Sequence, residues 1–276
     1  MSRKPRGTLI IIGGSERGGE QEILYEVAKR AHRKQGRRLL LVTVASREPE
    51  ESVKEYKKIF RDLGVTNMDV VNVRSRDDAF DEKHVEKCHG SPVIFFTGGD
   101  QLRITSQIGD TPLYQCFHHI FTEGGVIVGT SAGAAAMPEP MLVSGQGEDS
   151  SQMSAIGMAP GLGLLKGATI DTHFAERGRL SRIVGAVAQN PRNIGIGIDE
   201  DTAIIVKGNE SFRVLGKGAV YIVDGTGLSY SSLSEGRPEG VMSVHNLKLH
   251  VLAEADRFDL ETREPVLSKE AEAAIS

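Results

Sequence analysis

Val126-Ile-Val-Gly129-Thr-Ser131-Ala-Gly133-Ala-Ala-Ala136 is the stretch whose reading decides the fold. The β-branched run at 126–128 suits a strand buried on both faces. Gly129 and Gly133 flank Ser131 as G-T-S-A-G, a match to the G-x-S-x-G nucleophile elbow. That spacing serves the chemistry: no side chain crowds the serine, and small residues let a helix begin close against the sheet. The helix N-terminus would aim free N–H groups and a partial positive charge at a reacting oxygen. A tight strand-to-helix turn without chemistry has the same pattern, so other stretches must decide.

Upstream, the chain alternates strand and helix. Leu9–Ile12 reads as a first strand, followed by a glycine-rich loop at 13–19 and a helix over 20–34. Strands over 38–45, 68–73 and 93–96 are separated by an amphipathic helix at 50–63 and a polar, helical stretch from about Asp78. Such alternation predicts a largely parallel sheet covered on both faces. The loop after the first strand lacks G-x-G-x-x-G spacing. It reads less as a nucleotide site than as a border of another site at the strands' carboxyl ends. Thr97-Gly98-Gly99-Asp100-Gln101 follows the fourth strand, and a Gly-Gly pair there can turn backbone N–H groups toward a ligand. An ordinary turn capped by Asp100 is the alternative. Helices are expected over 101–107 and 112–123.

Downstream, 137–165 is too long for a simple turn. A short strand is expected near Leu142 and a flexible stretch at 145–154. Strands at 168–174, 193–198, 202–206, 212–215, 219–223 and 241–252 follow, the later ones as an antiparallel extension. From about Asp256 the chain reads as a charged peripheral tail. No repeat or linker divides the 276 residues, so a single α/β domain is expected.

Net charge −4 and pI about 6.1 give no basic stripe for nucleic acid. No run approaches the length of a membrane span, and 8–12 is too short for a signal-peptide core. Cys88 and Cys116 carry no metal-type spacing and read as reduced, buried thiols of a cytoplasmic protein.

A serine hydroxyl needs a base, and the base needs an orienting acceptor. Of the eight histidines, His173 ends a strand in a polar, glycine-flanked region, where sites of open α/β sheets cluster. It is the candidate base. Asp171 and Glu200 both remain candidates for the acid. Arg177, Arg179 and Arg182 place positive charge near His173 at a helix start, where it opposes the macrodipole. That unfavourable placement favours a binding role.

Four stretches, GTSAG after VIV, FFTGGDQ, DTHFAERGRLSR and GIGIDEDTA, resemble in order and spacing the cyanophycinases. These are a serine peptidase family allied to dipeptidase E, on the flavodoxin-like fold of class I glutamine amidotransferases. The resemblance runs from Leu9 to about Val223. It implies Ser131 as nucleophile, His173 as base and then acid, and Glu200 as orienting carboxylate. The oxyanion donors would be the backbone N–H groups of Gly99 and Ala132. It implies exopeptidase action on cyanophycin, a poly-aspartate backbone with arginine on each β-carboxyl, releasing β-Asp-Arg dipeptides. The three arginines would hold substrate carboxylates, Asp171 the guanidinium side, and Gln101 the amides. Thr172 stands where many relatives carry glutamine, which removes an amide beside the base. The resemblance implies a homodimer and no metal or cofactor. A dipeptidase E-like hydrolase of small Asp-containing peptides is the alternative activity.

Overall fold

The computed structural model describes residues 7–18, 21–33, 38–143, 156–235 and 241–267. The flexible stretch expected at 145–154 lies outside them. The first half runs β1 (Thr8–Ile12), α1 (Glu22–Arg33), β2 (Leu39–Val42), α2 (Pro49–Asp62), β3 (Met68–Val71), α3 (Glu82–His89), β4 (Val93–Phe96), α4 (Gln101–Ile108), α5 (Pro112–Thr122), β5 (Val126–Thr130) and α6 (Ala132–Ala135). The second runs β6 (Met141–Leu142), β7 (Met158–Ala159), β8 (Ala168–Thr172), α7 (Leu180–Gln189), β9 (Ile194–Ile198), β10 (Thr202–Lys207), β11 (Ser211–Gly216) and β12 (Val220–Asp224). It ends with β13 (Tyr230–Ser231), β14 (Val244–His245), β15 (Lys248–Leu252), β16 (Arg257–Asp259) and β17 (Glu264–Val266).

The fold is α/β. A nine-stranded sheet has the order β17-β16-β11-β10-β1-β5-β4-β2-β3. From β1 to β3 every neighbour is parallel, and from β1 to β17 every neighbour is antiparallel. On β1, Leu9 and Ile11 enter one hydrophobic cluster while Ile10 and Ile12 enter another. That is why a continuous apolar run, not an alternating one, forms this strand.

Two features depart from a single strand series. β8 and β9 pair in parallel with each other and join β12 and β15 in a separate four-stranded sheet. That sheet meets the carboxyl end of β1: His173, which follows β8, donates its N–H to Gly13 O. Within the segment expected as a peripheral tail from Asp256, residues 257–259 and 264–266 are instead sheet, with β16 paired to β11 and Phe258 fully buried. Phe258 stacks on Phe212, so one aromatic anchor makes a strand of a charged segment.

The cysteines also correct the sequence reading. Cys88 on α3 and Cys116 on α5 form a disulfide, with Cα atoms 6.4 Å apart. Their pairing comes from the packing of α3 on α5, which no local spacing reveals.

Candidate active site

β5 ends at Thr130, and Ser131 takes φ 52° and ψ −114°, outside the ordinary regions for a side-chain-bearing residue. Ser131 N donates to Ile12 O on the neighbouring strand, which helps hold the turn. A Cβ at position 133 would lie 2.6 Å from the Phe96 carbonyl oxygen. Only glycine therefore lets α6 sit so close to β4. α6 has four residues, so it brings no long-helix dipole to the serine. Ala132 is its first residue, and its N–H has no carbonyl one turn earlier within the helix.

The second sheet supplies the partners. Ser131 Oγ lies 2.8 Å from His173 Nε2, and His173 Nδ1 lies 2.5 Å from Glu200 Oε1. His173 follows β8 with φ 50° and is 8% exposed. Glu200 sits in the turn between β9 and β10. Of the two candidate acids, Glu200 is the one on the imidazole. Bonds from His173, and then from Ser15, hold its carboxyl below the ordinary glutamate range. Hydroxyl, imidazole and carboxylate thus lie in series, the geometry in which a serine can lose its proton to a neighbouring base.

The turn carrying His173 is fixed by Asp199, whose Oδ1 accepts from Ala175 N at 2.9 Å and Oδ2 from Ala219 N at 3.0 Å. The loop after β1 packs beneath it. This matches the reading of that loop as a border of the serine's site rather than a nucleotide cradle. The sequence reading picked out this loop through its Gly-Gly pair at a strand's carboxyl end, but gave Gly13, Gly14 and Ser15 no individual roles.

Gly98 and Gly99 lie beside Ser131. A Cβ at Gly98 would be 3.3 Å from Ser131 Cβ. Ser131, Gly99, Gln101, Thr172 and the three arginines border one cleft of about 890 Å³. The same cleft is lined by Glu48, Glu51 and Glu55, from the residue before α2 and its first half, and by Arg17 and Arg47, with Arg17 paired to Glu55. The cleft therefore carries charges of both signs. Gln101 Nε2 donates to Leu142 O, which ties the segment 141–143 to α4.

Asp171 is placed differently from the expectation that it holds a substrate guanidinium. It is 1% exposed and engages the chain's own arginines. Arg179 Nη1 donates to Oδ1 at 2.8 Å, and Arg182 Nε lies 3.1 Å from Oδ2. Burial pushes the Asp171 carboxyl upward against the pull of Arg182 and Arg179. Burial likewise lowers Arg182, against Asp171. Arg179 also donates to Thr172 O at 2.6 Å. Arg177 alone of the three is exposed. Among the described residues no group of three or more His, Cys, Asp or Glu could hold a metal ion.

An α/β sheet with a serine on a strand-to-helix elbow, read by an imidazole and a carboxylate, defines the class: a serine-type hydrolytic enzyme. The family model "Peptidase family S51" matches residues 9–214, and the chain belongs to that family. A cyanophycinase of Synechococcus elongatus is 36% identical over 263 residues, covering 94% of this chain and 81% of that protein. A cyanophycinase of Geminocystis herdmanii is 36% identical over 273 residues, covering 96% and 98%. The crystal structure of a peptidase from an acI-B1 actinobacterium superposes with a TM-score of 0.65 at 22% identity. It covers 91% of this chain and 98% of that one, a likeness of fold. No helix among the described residues is long and apolar enough to cross a membrane.

Proposed function

We propose that this peptidase hydrolyses the poly-aspartate backbone of cyanophycin, releasing β-Asp-Arg dipeptides as an exopeptidase. The observation that carries the reading is the cleft beside Ser131, lined by both arginines and glutamates. In cyanophycin the aspartate β-carboxyl is consumed in the bond to arginine. Each unit then keeps one free carboxylate and one guanidinium, both on the arginine. A cleft with both signs of charge suits such a zwitterionic unit better than a neutral peptide.

In this reading Ser131 Oγ attacks the backbone carbonyl as its proton passes to His173 Nε2. Glu200 accepts a hydrogen bond from Nδ1–H, which leaves Nε2 free to act as base. The N–H groups of Gly99 and Ala132 receive the oxyanion; losing one such donor costs about 2.7–4 kcal/mol of transition-state stabilisation. His173 hands its proton to the departing amine, and the acyl group remains as an ester on Ser131. Water deprotonated by His173 then releases the product. The steps as written require no metal or cofactor. Arg177 meets the substrate carboxylate directly, while Arg179 and Arg182 add positive potential from behind. Thr172 shapes the wall beside the base, and Gln101 orients the amide.

The enzyme would work as a cytoplasmic homodimer. The family resemblance supports the dimer, and an intracellular storage polymer supports the compartment. The disulfide removes the cysteines as an argument for that compartment. The deciding experiment is mass analysis of products from purified cyanophycin, with Asp-Leu as a second substrate. Release of β-Asp-Arg alone supports the proposal. Cleavage of Asp-Leu alone transfers the function to dipeptidase E-like hydrolysis.

A further inference from the structure

Glu16 is a buried carboxyl group that the mechanism above leaves without a task. It is 1% exposed and lies two residues after Gly14, the residue beneath the His173 ring. Tyr56 Oη donates to its Oε1 at 2.6 Å, and Thr130 Oγ1 donates to its Oε2 at 2.6 Å. Thr130 immediately precedes Ser131 in the chain and is itself 3% exposed. The guanidinium of the next residue, Arg17, sits over the Tyr56 ring and pairs with Glu55. A carboxyl group held from water by two neutral hydroxyls is costly unless the arrangement does something else.

We propose that Glu16 is a positioning residue for the nucleophile, acting through Thr130 to hold Ser131 in its strained conformation. The inference rests on the reading of Ser131 as nucleophile. Four consecutive residues of one loop reach the catalytic series. Gly13 O accepts from His173 N, Gly14 lies under the imidazole, Ser15 bonds Glu200, and Glu16 bonds Thr130. The loop is a common template for the two sheets, and Glu16 is its link to the serine's strand. A residue at φ 52° persists only where its surroundings over-determine it. The Thr130–Glu16 bond fixes the side chain next to that residue, and a displacement of about 1 Å at a reacting atom can cost on the order of 100-fold in rate.

The test compares Thr130→Val, Thr130→Ser and Glu16→Leu, with active sites counted by a fluorophosphonate that labels the serine. Thr130→Val keeps the β-branched shape and removes the donor. The rate per labelled site on cyanophycin should fall about 10- to 100-fold, with KM changed less than about twofold. The labelling rate constant should fall in parallel. Thr130→Ser, which keeps a hydroxyl, should restore most of the loss. The double variant Thr130→Val/Glu16→Leu should be no slower than the slower single variant, because both remove one link. Thr130→Val with fewer labelled sites but wild-type rate per site would mean a purely structural role and overturn the proposal. The threonine pair decides even where Glu16→Leu does not fold. Labelling also separates the two ideas. Cyanophycin left intact while labelling tracks the Thr130 hydroxyl sinks the substrate and spares Glu16. A wild-type enzyme that does not label sinks both.

Discussion

Ser131 Oγ lies 2.8 Å from His173 Nε2, although the two residues follow strands of different sheets and stand 42 positions apart. β5 delivers the serine from the parallel sheet, and β8 delivers the imidazole from the four-stranded one. The bond between them therefore reports how the two sheets dock. Ser131→Ala removes the hydroxyl without touching that docking. Hydrolysis should fall to background while the melting temperature stays within about 1–2 °C, as for a small change that opens no cavity. Turnover near the wild-type rate, measured by dipeptide release, would end the model of a serine nucleophile.

The strand that ends at Ser131 was legible because it is apolar, β-branched and bounded by glycines. His173 was legible because it ends a strand in a polar stretch. Glu200 was separable from Asp171 only by resemblance, since three adjacent acids carry no direction. The rest depended on distances along the chain that leave no local pattern. The division into two sheets follows from β8 and β9 pairing with β12 and β15 instead of with β5. The disulfide follows from helix packing. Glu16 follows from contacts with Tyr56 and Thr130, 40 and 114 positions away.

Glu200 gives a prediction about pH. The bond from His173, and then that from Ser15, lowers its folded pKa. A carboxyl with a depressed folded pKa stabilises the protein above its unfolded value, and that contribution is lost as pH falls through the folded one. Glu200→Gln should therefore melt below the wild type at neutral pH. The gap should close as pH falls below about 4.5, the ordinary glutamate value. Its rate at neutral pH should be lower by about 100- to 10,000-fold, because the imidazole loses its orienting acceptor. A melting gap that is constant from pH 7 to pH 3 would dissociate Glu200 from this linkage.

Arg182 and Arg177 should separate stability from binding. Arg182 is 4% exposed and faces the buried Asp171. Arg182→Ala should destabilise by about 3–5 kcal/mol, as breaking a buried pair does. The sequence reading has Arg182 holding a substrate carboxylate; its burial against Asp171 makes the larger effect one on the fold. Arg177 is exposed at the cleft. Arg177→Ala should leave unfolding within about 0.5 kcal/mol and raise KM for cyanophycin about tenfold, the worth of one charge-assisted hydrogen bond. Denaturant unfolding and steady-state kinetics on both variants check the pair. Equal KM for wild type and Arg177→Ala would remove that arginine from the substrate's path.

The disulfide predicts a response to reductant. Cys88 and Cys116 are 28 positions apart, and closing a loop of that size stabilises by about 3.6 kcal/mol in the chain-entropy model. Cys88→Ser/Cys116→Ser, or reduction of the wild type, should lower the melting temperature by about 5–10 °C. Activity at 25 °C should persist, because α3 and α5 contribute no residue to the cleft. Alkylation of two thiols in unreduced, denatured protein, detected by mass, would show that the bond does not form.

Gly14 ties the first strand's loop to the imidazole. Its φ is +117°, and a Cβ there would lie 2.7 Å from His173 Nε2 and 2.9 Å from Nδ1. Gly14→Ala therefore meets two penalties, a backbone conformation that alanine resists and a ring that must move. The first costs about 1–3 kcal/mol of stability. The second breaks the approach of His173 to Ser131, so kcat should fall about 100-fold. Gly18 lies in the same loop, and a Cβ there would find its nearest neighbour, Ser15 O, 3.9 Å away. Gly18→Ala should match the wild type in both rate and melting temperature, which makes it the control for loop stiffening. If Gly14→Ala lost stability but kept its kcat, the loop would support the fold without setting the imidazole's position. The template role of residues 13–16 would then rest on Ser15 and Glu16 alone.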